Sequence, residues 1–95
     1  MNQNEREQIY LKAIKQYGRV AQALVAVEEL AELQKELLKN INRNKWNREQ
    51  IIDEIADVRI MLEQLNFIYG IENDELEERV KEKVERLRQK IYKLD

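Results

Sequence analysis

The chain contains neither cysteine nor histidine among its 95 residues. Without thiolates and imidazoles it has no means of building a disulfide framework, an ordinary zinc site, or a thiol- or imidazole-based catalytic centre. Any catalysis must therefore use carboxylates, lysine, arginine, tyrosine or a bound hard cation.

Proline is also absent, and the only glycines are Gly18 and Gly70. Proline breaks helix interiors and glycine commonly ends helices, so this composition predicts long helices joined by short turns. We predict an all-α fold in which residues 1–95 form a single domain, a four-helix bundle-like protomer.

Charges of the two signs nearly balance, with 17 basic and 19 acidic side chains and a net charge of -2. This gives no electrostatic reason to expect binding to duplex nucleic acid or to an anionic membrane. No apolar run is long enough to span a bilayer and no signal peptide is recognisable, which predicts a cytoplasmic protein. A domain this short buries a smaller fraction of its surface on folding than a large one does, so we expect a homodimer or homotetramer.

Apolar residues at helical spacing predict where the four helices lie. They run from about 5 to 17, 20 to 41, 47 to 70 and 73 to 94. Gly18 is predicted to stop the first helix, Asn47 and Gln50 to form a capping box on the third, and Asn73 or Asp74 to cap the fourth. The fourth helix carries a narrow apolar seam flanked by charges, made of Leu76, Val80, Val84, Leu87, Ile91 and Leu94.

Acidic residues interrupt two helices that are apolar on more than one side. Glu28, Glu29 and Glu32 lie in the second helix, and Glu54 and Asp57 lie one turn apart in the third. Buried carboxylates are costly, so they need protons, cationic partners or a bound metal. If the two helices pack antiparallel across their short loop, both acidic groups converge on one point. Ligation by oxygen alone suits magnesium or manganese together with a substrate phosphate.

The same acids also have a simpler explanation. A Glu-Glu-x-x-Glu string taken alone is more often a solvated helical face than a metal site. Glu54 and Asp57 taken alone could be paired structurally by Arg59 or by a lysine. The apolar residues around the first motif leave it little solvated face, which favours a functional site.

Residues 28–32 read Glu-Glu-Leu-Ala-Glu, and after 21 further residues the positions 54–57 read Glu-Ile-Ala-Asp. In this two-part motif the chain resembles the MazG-like family of all-α nucleoside triphosphate pyrophosphohydrolases. It is most similar to the small single-domain members found in bacteria and their phages. The similarity covers most of the chain, from Tyr17 and Gly18 before the first motif into the last helix.

The resemblance implies cleavage of a nucleoside triphosphate between its α and β phosphates, which yields a monophosphate and pyrophosphate and requires magnesium. It also implies that one glutamate among Glu28, Glu29 and Glu32 acts as the general base. The implied metal ligands are Glu29, Glu32, Glu54 and Asp57.

A phosphate-contacting lysine of the family matches Lys83. The asparagine usually found four positions later is Leu87 in this chain. This departure concerns the substrate contacts more than the metal site.

Two further residues are candidates for substrate binding. Lys39 lies in a basic cluster near the loop and could contact a triphosphate, although a basic helix end that suits the helix dipole is the simpler explanation. Trp46 could stack on a base, but packing against the core is the favoured interpretation. The tyrosines are expected to be structural core residues: Tyr10, Tyr17, Tyr69 and Tyr92.

Two other functions stay open at this point. The seam of the fourth helix suits a non-enzymatic helical oligomer or interaction module. The departure at Leu87 is also compatible with a relative that binds nucleotides without hydrolysing them.

Overall fold

The computed structural model describes residues 1–93, so Leu94 of the apolar seam lies outside the described residues. Within them the chain forms four helices and no strand, which confirms the predicted all-α class. The helices are α1 (Gln3–Tyr17), α2 (Arg19–Arg43), α3 (Arg48–Ile68) and α4 (Asn73–Ile91).

The ends of α1 follow from local sequence. The Asn2 side chain accepts the backbone N–H of Glu5 at 2.8 Å, and the Glu5 carboxylate accepts the N–H of Asn2, which completes a capping box. At the other end, Gly18 has a φ of 97°, a conformation that residues with a side chain rarely adopt. Gly18 was predicted to stop this helix, and it separates α1 from α2.

The predicted side-chain caps of α3 and α4 are wrong. Asn47 does precede α3, but its side chain makes no cap hydrogen bond. Its Nδ2 donates to Glu36 on α2, and its Oδ1, the atom that would accept from a helix N–H, has no hydrogen-bond partner among the described residues. Glu72 precedes α4, and its carbonyl already accepts the N–H of Leu76 at 3.1 Å. Asn73 and Asp74 therefore lie inside the helix, where neither can serve as its N-cap.

The centre of the fold is the antiparallel pair of α2 and α3, with α1 packed against both. Arg6 binds the carboxylate of Glu63 at 3.0 Å, and Tyr10 donates a hydrogen bond to the same carboxylate, so α1 is tied to α3. The buried apolar side chains are Tyr10, Ala26, Val58, Met61 and Ile68.

Helix α4 packs against none of the other three helices within the described residues. All its seam residues up to Ile91 are exposed, so the packed unit of one chain consists of α1, α2 and α3. No described helix has both the length and the apolar character required to cross a bilayer.

Of the four tyrosines assigned to the core, only Tyr10 is buried. The assignment is wrong for Tyr17, Tyr69 and Tyr92, which are exposed at the ends of α1, α3 and α4. Helical spacing identifies the face on which a residue lies, but it does not show whether a neighbouring helix extends far enough to cover that face.

Candidate functional site

Three acidic side chains meet where α2 faces α3. Glu29 on α2 and Glu54 and Asp57 on α3 each place one carboxylate oxygen within 4.8 Å of the others. Glu29 and Glu54 are half-buried, whereas Asp57 is exposed. We call these three residues the acid cluster. It comprises three of the four metal ligands implied by the sequence resemblance.

The other acids of the first motif lie beside the acid cluster. Glu32 is exposed one turn after Glu29, and its charge raises the pKa of both Glu29 and Glu54. Glu28 is exposed next to Glu29 in sequence and is not among the three gathered residues. Glu32 therefore acts electrostatically at the edge of the cluster, on its solvent side.

Burial and like charges shift the acid cluster in the same direction. The pKa of Glu29 is raised above its ordinary value, first by burial and then by the charges of Asp57 and Glu54. The pKa of Glu54 is raised by burial first, and then by Asp57 and Glu32. Both carboxyl groups thus hold a proton more tightly than they would in water. A cation placed among them would relieve this repulsion.

Glu54 has a side-chain oxygen, Oε2, that is buried in the acid cluster without a hydrogen-bond partner among the described residues. A buried acceptor without a partner is unfavourable and calls for a water molecule or an ion. The donor set consists of carboxylate oxygens alone, which fits magnesium or manganese and does not fit a soft metal.

Glu36 forms a second polar group between the same helices, and the sequence analysis did not identify it. Its Oε1 accepts from Asn47 Nδ2 at 3.0 Å and its Oε2 accepts from Lys39 Nζ at 2.8 Å. These contacts, with Lys39 first and Asn47 second, lower the pKa of Glu36 below its ordinary value. Glu36 is consequently an ionised carboxylate that is 9% exposed.

The three residues predicted to bind substrate lie on different elements: Lys39 is on α2, Trp46 is in the turn before α3, and Lys83 is on α4. Lys39 is engaged by Glu36, and it also lines an open groove of about 480 Å³ along α2 with Lys35 and Arg43. Trp46 is 82% exposed in the turn before α3, so the favoured interpretation that it packs on the core is wrong.

Lys83 lies on α4, which does not reach the acid cluster within the described residues. No described hydrogen bond or ion pair joins Lys83 to Glu29, Glu54 or Asp57. Leu87, at the position where the family usually has asparagine, is exposed on the same helix.

Comparisons of this chain with models of protein families, with curated proteins and with solved structures found no match. Its function is therefore inferred from the residues of the acid cluster and from the sequence pattern that contains them.

Proposed function

We propose that the chain is a magnesium-dependent nucleoside triphosphate pyrophosphohydrolase of the MazG-like type. In this proposal it cleaves the bond between the α and β phosphates of ribo- or deoxyribonucleoside triphosphates and releases a monophosphate and pyrophosphate. The observation that carries the proposal is the acid cluster, in which two helices contribute carboxylate oxygens within 4.8 Å of one another.

The residues can be given separate roles. Glu29, Glu54 and Asp57 would hold the metal, with the unpartnered Oε2 of Glu54 as one donor atom. Bound magnesium supplies charge neutralisation on the phosphates and lowers the pKa of a coordinated water. Glu32 and Glu28 lie exposed beside the cluster, so either can accept a proton from the attacking water without giving up a ligand position.

Self-association is part of the same proposal. Large apolar side chains are exposed along the outer face of α2, where Val20 is 76% exposed and Ile41 is 71% exposed, and along the seam of α4. Exposed apolar surface arranged in stripes is typical of protein interfaces. A homodimer or homotetramer would cover these stripes and would give α4 a packing partner.

The free seam of α4 also favours a second candidate function, a non-enzymatic module that binds another helix. A purely structural module has no need of clustered carboxylates, so metal binding separates the two candidates. Magnesium or manganese should raise the thermal stability of an enzyme that gathers these acids, because a ligand that binds only the folded state stabilises it.

Pyrophosphate release is the decisive assay. We expect magnesium-dependent release from at least one substrate in a panel of standard and modified ribo- and deoxyribonucleoside triphosphates. Asp57→Asn and Glu54→Gln should each lower the rate by at least about a hundredfold, because each removes a charged oxygen ligand from the reacting centre. Glu78→Gln, at an exposed position of α4, is the matched control and should keep the wild-type rate.

Three results would count against the hydrolase. Full activity in Asp57→Asn would remove the acid cluster from the mechanism. Nucleotide binding without pyrophosphate release from any triphosphate would indicate a relative that has lost hydrolysis. Absence of both metal-induced stabilisation and nucleotide binding would favour the interaction module.

A further inference from the structure

Two hydrogen-bonded pairs of polar side chains bracket the acid cluster along the α2–α3 pair. On one side, Gln22 donates to the Oε1 of Gln64 at 2.8 Å, and both residues are buried. On the other side, Asn47 donates to Glu36. Buried hydrogen bonds of this kind fix the relative position of two helices, since any sliding would leave their donors and acceptors without partners.

The Glu36–Asn47 pair ties the two helices together through backbone as well as side chain. Asn47 Nδ2 donates to the backbone carbonyl of Glu36 at 2.9 Å and to its Oε1 at 3.0 Å. The backbone carbonyl of Asn47 accepts the N–H of Ile51 at 3.1 Å, at the start of α3. Asn47 is only 2% exposed. One buried side chain therefore sets where α3 begins relative to α2.

The position of this pair in the sequence relates it directly to the acid cluster. Glu36 lies seven residues after Glu29 on α2, and Asn47, which immediately precedes α3 and accepts an N–H of its first turn, lies seven residues before Glu54. Seven residues correspond to about 10.5 Å of helix, and to nearly two full turns, so each residue of the pair lies on the same face as its acidic counterpart. Because the two helices run antiparallel, both offsets point in the same direction along the pair. The Glu36–Asn47 contact is therefore displaced from the Glu29–Glu54 contact by the same distance on each helix. A shift at the Glu36–Asn47 level is thus transmitted as the same shift between Glu29 and Glu54.

We propose that Glu36 and Asn47 are positioning residues that hold Glu29 and Glu54 at the separation which a divalent cation requires. The inference rests on the proposed function, because it assigns these two residues a role in the same metal site. Metal–oxygen distances tolerate errors of only about 0.2 Å, so a small slip of α3 along α2 weakens binding without unfolding the pair. Neither Glu36 nor Asn47 contacts the cation in this arrangement.

The test measures Mn²⁺ affinity by calorimetry, together with kcat and KM for pyrophosphate release, on folded full-length protein. Asn47→Ala and Glu36→Ala should each weaken Mn²⁺ binding by about tenfold or more, as loss of an outer support to a metal ligand typically does. We expect kcat to fall more than KM rises. Glu36→Gln keeps an oxygen that can accept from Asn47, so it should retain most of the affinity that Glu36→Ala loses.

Asn40→Ala is the matched control. Asn40 donates its side-chain amide to the carbonyl of Lys45 at 3.0 Å in the same turn, and its side chain makes no described hydrogen bond with Glu36 or Asn47. The Lys45 carbonyl also accepts the backbone N–H of Asn47, a bond that Asn40→Ala leaves in place. This variant removes a similar hydrogen bond and should leave the Mn²⁺ affinity and kcat unchanged. If Asn47→Ala fails to fold, the comparison of Glu36→Ala with Glu36→Gln decides the question.

Each result has a distinct meaning. If the Asn47→Ala and Glu36→Ala proteins are less stable but bind Mn²⁺ and turn over as the wild type does, the pair is merely structural and the inference is wrong. If Glu36→Gln loses as much affinity as Glu36→Ala, the charge of Glu36 matters and its hydrogen bond does not, which also overturns the inference. If the wild-type protein binds no Mn²⁺, the proposed function fails and the positioning role fails with it.

Discussion

Glu29 and Glu54 are two residues whose ionised side chains make the folded state less stable. Burial raises the pKa of each carboxyl group, and the neighbouring acids raise it further. A group that binds a proton more tightly in the folded state than in the unfolded state makes folding less favourable once the proton is lost. At neutral pH and without metal, the acid cluster therefore lowers the free energy of unfolding.

Glu54→Gln should consequently raise the stability of the metal-free protein at neutral pH. The pKa of Glu54 in the folded state lies above the ordinary value of 4.5. The proton on Glu54 therefore stabilises the folded state fully below pH 4.5, and this stabilisation is lost as the pH rises through the folded-state pKa. The advantage of the glutamine variant should accordingly be largest at neutral pH and shrink as the pH falls towards 4.5. Urea unfolding across this pH range measures it.

Glu78→Gln neutralises an acid on the exposed face of α4 and should show no comparable gain. Adding Mg²⁺ should reverse the order, because the cation stabilises the wild-type site and has one ligand fewer in Glu54→Gln. A glutamine variant less stable than the wild type in chelator at neutral pH would contradict this account of the cluster.

Helical spacing predicted that the acids of both motifs converge once two helices pack antiparallel. Glu29, Glu54 and Asp57 do so, whereas Glu28 and Glu32 are not among the gathered residues. Spacing could not predict Asn47. An asparagine before a helix is normally a cap that accepts through its Oδ1, whereas Asn47 uses its Nδ2 to donate to the carbonyl and carboxylate of Glu36, and its Oδ1 accepts from no described group. The exposure of Trp46 was equally hard to predict from the sequence, since it depends on the path of the turn.

The attachment of α1 illustrates how one helix is held at the element scale. The Tyr10 ring is buried, while its hydroxyl donates to Glu63 on α3 and accepts from Arg6 one turn earlier on α1. Arg6 binds the same carboxylate, and Arg59 approaches it at 3.8 Å. Glu63 is thus the point on α3 at which α1 is anchored.

Tyr10→Phe should lower the free energy of unfolding by about 1.5–3 kcal/mol, the range for a hydrogen bond to a charged group, because the hydroxyl is bonded to the charged Glu63 and Arg6. The ring stays buried, so only the hydroxyl's two hydrogen-bonding roles are lost. Urea unfolding of the full chain gives the difference. Tyr17→Phe, on an exposed ring of the same helix, is the control and should be neutral. An unchanged Tyr10→Phe protein would show that Arg6 alone anchors α1.

The helices themselves were predictable because their apolar periodicity and the scarcity of glycine are local properties. The packing of the helices against one another was less predictable from the sequence. The seam of α4 has the same pattern as a core-facing helix, yet α4 lies apart from α1, α2 and α3 within residues 1–93. A periodic apolar face requires some partner, but its pattern is identical whether that partner lies in the same chain or in another.

At the scale of the whole molecule, the charges beside the α4 seam restrict what can cover it. Basic residues at steps of four and three line one side of the seam, and acidic residues at similar steps lie on the opposite face of the helix. The basic residues are Arg79, Lys83, Arg86 and Lys90, and the acidic ones are Glu75, Glu78, Glu82 and Glu85. Two α4 helices placed seam to seam in antiparallel orientation would bring like charges together on the basic side. Helix α4 is better matched to an apolar surface that carries acids.

The outer face of α2 is such a surface. It exposes Leu24 and Val27, and the exposed carboxylate of Glu28 lies beside Leu24 one turn further along the same helix. A second copy of the chain can therefore cover the α4 seam with α2 while its own α4 covers the first copy's α2. This exchange is symmetric, and such closed two-fold association is the commonest form of homo-oligomer.

The native mass of the wild-type protein in light scattering at micromolar concentration should accordingly be that of two or four chains. Val84→Glu in the seam and Leu24→Glu on α2 should each reduce it towards one chain, because each buries an unpaired charge in the same interface. Gln89→Glu adds the same charge on the side of α4 that faces away from the seam, so it should leave the mass unchanged. A monomeric wild-type protein would mean that both apolar stripes stay open to water. If Gln89→Glu dissociated the protein as readily as Val84→Glu does, the effect would come from net charge and not from the seam.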